Sequence, residues 1–199
     1  MIKETPSEGF ILDIVEPLIS FPSVRLEKGQ AVGIYTSEPK LMTKYFFKLI
    51  CEPEKYAKKV TINGLIANGT NWIGRSFTHM VVPEIWNDTI CNILKKKPKR
   101  RHLIFIGAAK DEIVSEELDN VAFFVEDYKK EGSVFVITDS KELLEKTVDK
   151  VLNEKGIEID LNKSELYKVI SEKESVSEFS NINHNVKNLN LGNNFINLE

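Results

Sequence analysis

The chain has 199 residues, 42% of them hydrophobic and 29% charged, which suits one globular domain with a buried core. A formal net charge of −3 excludes a global electrostatic attraction to nucleic acid or anionic lipid. Cys51 and Cys91 stand far apart in no metal-ligand spacing, so reduced thiols in a cytosolic setting are expected. Residues 1–8 hold no basic stretch leading into an apolar run, and no segment approaches the roughly 18 apolar residues of a membrane span. The expectation is a cytoplasmic chain, peripheral to a membrane only through a partner.

Residues 10–24 are apolar but interrupted by Pro17 and Pro22, a pattern of short edge strands and turns. Glu27-Lys28-Gly29-Gln30 is a turn, and residues 31–35 read as a short buried strand. Apolar residues at helical spacing predict a helix over 41–50, ended by Pro53. Val60-Thr61-Ile62 is a β-branched strand closing on the turn pair Asn63-Gly64. Residues 65–74 read mostly as loop, 76–82 as a strand stopped by Pro83, and 84–96 as a helix with Ile85, Ile90, Ile93 and Leu94 on one side.

Leu103-Ile104-Phe105-Ile106 is a continuous apolar run before Gly107, as expected of a parallel strand covered on both faces. A helix is predicted over 115–130 with Ser115 as its N-cap, then a second buried strand over 134–138. Residues 140–155 read as one amphipathic helix closed by Gly156, followed by a short strand over 157–159 and a last helix over 161–171. From residue 172 to 199 Asn, Ser and Glu dominate, the composition of a flexible polar tail. The domain is therefore expected to span 1–171. Alternating buried strands and helices argue an α/β fold with a mostly parallel sheet flanked by helices.

Taken in order, these segments resemble the ATP-binding domain of ABC transporters, a P-loop ATPase family. Residues 26–34 are similar to the turn and strand before that family's phosphate loop, and 43–50 to the helix that follows it. Val60-Thr61-Ile62-Asn63-Gly64 is similar to the family's next strand, 89–93 to the segment after its Q-loop, 103–106 to its Walker B strand and 134–138 to the strand before its switch histidine. The resemblance covers about residues 20–160 and implies an ABC-ATPase-like core with an antiparallel N-terminal part.

The residues that carry the family's chemistry are missing. A phosphate loop needs glycines for close backbone approach, a lysine for phosphate charge and a hydroxyl for Mg²⁺. In this register those positions fall on Thr36, Leu41, Met42 and Thr43, and only Thr43 fits, as a vestigial cofactor-binding residue. Pro39 removes a further N–H donor. Gly107 and Ala108 stand at the Walker B acids, Asp139 at the switch histidine, and Thr78 or His79 near the Q-loop glutamine. About ten residues join Ile93 to Leu103, where the family places its helical subdomain and signature motif. The resemblance therefore implies a degenerate domain without a helical subdomain: not an enzyme, binding no cofactor, and acting on a protein partner such as a membrane component or an active ATPase subunit.

Other signals are weaker. Trp72, Phe77, Met80 and Trp86 are candidates for a partner surface, though core burial is the favoured reading of such residues. Lys95, Lys96, Lys97, Lys99, Arg100 and Arg101 form a basic run that would contact phosphates or acidic headgroups, or merely replace a deleted subdomain. Nucleic-acid binding through this run is an alternative that the net charge disfavours. His79, His102 and His184 are isolated and suggest no metal site. A second alternative is an unrelated enzyme gathering Asp111, Thr138 and Asp139 at the C-terminal strand ends.

Overall fold

A computed structural model describes residues 10–68, 72–96 and 102–161. The chain divides into Met1–Glu158 and Ile159–Glu199. Of the second unit only residues 159–161 are described, so nearly all of the expected last helix and the whole polar segment 172–199 lie outside the described residues.

In the first unit, β1 (Phe10–Pro17), β2 (Val24–Glu27), β4 (Ala57–Ile62) and β5 (Leu65–Ile66) form an antiparallel sheet in the order β2-β1-β4-β5. The Asn63-Gly64 pair makes the two-residue turn between β4 and β5, with φ of 50° and 76°. Positive φ at both positions is what the pair supplies and what a tight hairpin requires. Leu12, Ile14, Leu26, Val60 and Ile62 of this sheet join the central hydrophobic core.

The second sheet is wholly parallel. It runs β6 (Thr78–Val81), β7 (Leu103–Ala108), β8 (Ser133–Thr138), β3 (Ala31–Tyr35), β9 (Lys150–Leu152). Every residue of β7 and β8 is buried, which explains their unbroken apolar sequences. Alternate residues serve opposite faces. Val32, Ile34, Leu103, Phe105, Phe135 and Ile137 join the core that contains α1 (Pro39–Cys51). At its centre Phe46 stacks on Phe105 at 4.2 Å between ring centroids, with Phe135 at 5.3 Å and Phe21 at 6.3 Å. Helices α6 (Leu118–Tyr128) and α7 (Lys141–Thr147) pack against each other and on β8.

Three expected helices differ. The predicted 140–155 helix stops at Thr147, and Lys150–Leu152 becomes β9, paired parallel with Val32–Ile34. Val148, Val151 and Leu152 meet helical spacing, but two are β-branched and the open edge of β3 offers ladder hydrogen bonds. Asp149 fixes the junction: its Oδ2 accepts the Ala31 N–H at 2.8 Å, and its Oδ1 takes the Lys129 ammonium at 2.7 Å. The predicted 84–96 helix breaks at Asn87, left-handed at φ 49°, into α4 (Pro83–Trp86) and α5 (Ile90–Lys95), the latter capped by Thr89 Oγ1 on Asn92 N–H. Ile85 consequently faces outward, 62% exposed, while Ile90, Ile93 and Leu94 are buried. Ser115 opens a 3-10 turn (Ser115–Glu117) rather than capping α6. The 65–74 stretch also carries more structure than expected: β5 and the start of α3 (Trp72–Phe77). Between α1 and β4 lies the single turn α2 (Pro53–Tyr56).

Candidate functional site

The C-terminal ends of the parallel strands form the usual ligand-binding crevice of such a sheet. The loop from β3 into α1, residues 36–38, is the stretch that the resemblance sets at the phosphate loop, and Thr36, Glu38 and Glu154 border a pocket of their own. All of the loop's N–H groups have partners inside the protein. Thr36 N–H donates to Thr138 O at 3.1 Å, Ser37 N–H to Glu154 Oε1 at 3.3 Å, and Glu38 N–H to Thr36 Oγ1 at 3.1 Å. Pro39, the first helical residue, has no N–H to give. Glu154 also accepts the Thr36 hydroxyl, so a carboxylate of the protein itself is seated on this loop. Met42 is 5% exposed and packs in the core.

Thr43 is buried and turned toward β7. A Cβ on Gly107 would stand 2.5 Å from Thr43 Oγ1 and 2.9 Å from the Phe105 ring. Glycine is therefore required by close approach at this point. Beside it lies a cavity of about 270 Å³ with walls from Phe47, Val82, Ile85, Ala108 and Ala109. Its rim carries Lys40, Lys44, Glu84 and Glu112. Lys40 Nζ lies 3.2 Å from Glu112 Oε1 and 3.8 Å from Glu84 Oε2. The hydrogen bond with Glu112, then the charges of Glu112 and Glu84, hold the Lys40 ammonium above the ordinary lysine pKa. Glu112 in turn accepts the Ala109 N–H at 2.8 Å. The site thus joins an apolar floor to a rim whose one paired lysine is neutralised.

The sequence-predicted residues fall in several places. Thr43 lines the cavity. Thr78 and His79 lie at the start of β6, with His79 Nε2 3.2 Å from Ile93 O; the residues of that segment that reach the cavity are Val82, Glu84 and Ile85, past the strand's C-terminal end. Asp111, Thr138 and Asp139 do not line this cavity. Asp139 Oδ1 instead accepts the Lys110 N–H at 2.6 Å, and Thr138 Oγ1 accepts the Ser140 N–H at 3.0 Å. Phe77 and Met80 are partly buried against the core, whereas Trp86 is 51% exposed and donates Nε1–H to Met80 O at 2.7 Å. The Trp72 side chain, like Lys97, Lys99, Arg100 and Arg101, lies outside the described residues. Glu84 and Glu154 escape sequence reasoning, and Glu112 stands out only as one of an acidic cluster with Asp111, Glu116, Glu117 and Asp119, because each meets its partner only through the fold.

Of the basic run, Lys95 and Lys96 close α5. Lys96 pairs with Asp88 at 2.7 Å, and Asp88 also accepts from Asn92 Nδ2 and the Thr89 N–H, both at 2.9 Å. The Lys96 hydrogen bond, then those of Asn92 and Thr89, lower the Asp88 pKa to about 2. Since the folded value lies below that of the unfolded chain, this contribution to stability is present above about pH 4 and is lost as pH falls through about 2. A carbon-13 titration of the Asp88 carboxyl is expected to show that low midpoint, and Lys96→Ala to raise it. A wild-type midpoint at the usual aspartate value would contradict the pairing.

No protein-family model and no curated protein matches the sequence. Solved structures do. One is cbiO1 from Clostridium perfringens, part of the ABC transporter complex cbiONQ, with a TM-score of 0.58 at 12% identity over 90% of this chain and 100% of that one. Another is a bacterial Atm1-family ABC exporter with ATP bound, with a TM-score of 0.53 at 10% identity over 75% of this chain and 38% of that one. The parallel sheet, its flanking helices and the antiparallel sheet are therefore the fold of ABC transporter proteins, shared with little sequence identity.

Proposed function

We propose that the chain is a non-catalytic, ABC-ATPase-like subunit that binds rather than hydrolyses, docking to a membrane component or to a working ATPase subunit. The observation that carries this reading is the hydrogen-bond accounting of residues 36–39: Thr36, Ser37 and Glu38 spend their N–H groups inside the protein, and Pro39 has none. Phosphate cradling at such a loop depends on those donors. The buried Met42 supplies no charge, Lys40 is held by Glu84 and Glu112, and Glu154 repels a polyanion from the loop.

A scaffold needs only its surface. Ile85 and Trp86 give an exposed apolar step beside the crevice, and the Trp86 ring is fixed by its hydrogen bond. With Trp72, Phe77 and Met80 nearby in sequence, residues 72–86 are the segment we assign to the partner. One neighbour of like fold is itself part of a transporter complex, which supports a protein partner and a place at the membrane through it. Among the described residues no helix is long and apolar enough to cross a membrane.

Thermal shift with ATP, ADP and GTP, each with Mg²⁺, tests the reading. No rise in melting temperature is expected up to about 1 mM nucleotide, since a ligand at its Kd already stabilises by about RT ln 2. A rise that saturates at micromolar nucleotide would instead favour an enzyme.

A further inference from the structure

The cavity between α1, α4 and the end of β7 is given no ligand by the scaffold reading. It is apolar within, bounded by Phe47, Val82, Ile85, Ala108 and Ala109, and about 270 Å³ in volume. An apolar cavity of roughly 150 Å³ accepts benzene, so this one has room for about ten non-hydrogen atoms. The Gly107–Thr43 contact sets its floor, because no side chain at 107 projects into it.

The rim selects the charge of an occupant. Glu84 and Glu112 both face Lys40, and Glu112 also holds the Ala109 N–H. An ammonium ligand would have to displace Lys40 from both. Lys44, one turn further along α1, lines the same mouth and makes no ion pair among the described residues. It is the rim charge open to a new partner. A second negative charge on a ligand would meet Glu84 and Glu112, so a single carboxylate fits better than a phosphate.

We propose that this cavity binds a small amphipathic carboxylate, with an apolar acyl or aryl body between Phe47, Val82 and Ile85 and its carboxylate on Lys44. The proposal goes beyond the scaffold reading and does not depend on it, since neither the N–H groups of residues 36–38 nor a protein partner takes part.

Nuclear magnetic resonance on the full chain, nitrogen-15 labelled, tests it with 4-phenylbutyrate and its neutral counterpart 4-phenylbutanol. The acid is expected to cause saturable shifts at the amides of Thr43, Ile85, Gly107 and Ala109, and to bind roughly 2–5-fold more tightly than the alcohol, the range of an exposed ion pair. Lys44→Ala should bring the acid to the alcohol's affinity and leave the alcohol unchanged. Ile85→Ser should weaken both. Both positions are exposed, so both variants keep the fold, and an unchanged amide dispersion checks it. Absence of saturable shifts up to about 10 mM, a Kd beyond which no useful binding energy remains, would overturn the site. Equal affinity of acid and alcohol for the unmodified chain would overturn the role of Lys44, and shifts confined to other surfaces would overturn the location.

Discussion

Phe46→Ala is expected to destabilise the protein by about 3–5 kcal/mol. The ring is fully buried and stacks on Phe105, with Phe135 and Phe21 completing the aromatic cluster. Truncation removes the burial of a whole ring and leaves a cavity between α1 and the parallel sheet, whose strands cannot follow the lost volume inward. For a domain with a total stability of about 5–15 kcal/mol this is a large fraction. The melting temperature should fall by about 6–20 °C, taking roughly 2–4 °C per kcal/mol at this size. Phe46→Leu removes less volume and should cost less than the alanine variant, while still losing the stack on Phe105. A fall of under about 1 kcal/mol for the alanine variant, read by urea denaturation, would show that α1 is not seated on β7 and β8 as described.

Gly107→Asp would place an acid where the family resemblance puts the Walker B aspartate, and it is expected to harm the fold without creating a nucleotide site. Its Cβ would press on Thr43 Oγ1 and on the immobile Phe105 ring. Its carboxylate would enter the apolar cavity floor, with Lys40 already engaged by Glu84 and Glu112 and Lys44 out at the exposed rim. The steric part alone, isolated by Gly107→Ala, should cost about 1–3 kcal/mol. The aspartate should cost about 1–3 kcal/mol more once ionised, the penalty of a buried polar group without a partner. Burial raises the folded pKa of such a carboxyl above its unfolded value. The extra penalty is therefore small below about pH 4 and grows as pH rises toward 7. Equal stability of the alanine and aspartate variants at neutral pH would contradict the apolar floor, and stabilisation of the aspartate variant by Mg-ATP would contradict the absence of a phosphate site.

The two covered strands were the most legible part of the sequence. Leu103-Ile104-Phe105-Ile106 and Val134–Thr138 have no polar face, and only a sheet with helices on both sides buries them. Asn63-Gly64 was legible for a local reason, since few residue pairs accept its two positive φ values. Segment 148–152 was not, because its apolar residues satisfy a helix and an edge strand alike, and the choice is made by β3, more than a hundred residues earlier. The same limit hides the site. Thr36 and Glu154 are 118 positions apart, and the carboxylates on Lys40 come from two other segments, at 84 and 112. Sequence reading singled out residues 36–43 as the counterpart of the phosphate loop. It offered no sign that the Thr138 carbonyl, the Glu154 carboxylate and the Thr36 hydroxyl occupy the donors of residues 36–38.

The most direct test of the central claim is a calorimetric titration of Mg-ATP into the purified chain. If the N–H groups of residues 36–38 are committed internally and Lys40 is neutralised, the titration should show only heats of dilution up to about 1 mM, where a binding free energy of about −4.1 kcal/mol would be detected. A saturating isotherm with a micromolar Kd would contradict the claim: the loop would have to release Glu154 to hold phosphate, and the chain would be a nucleotide-binding protein rather than a scaffold.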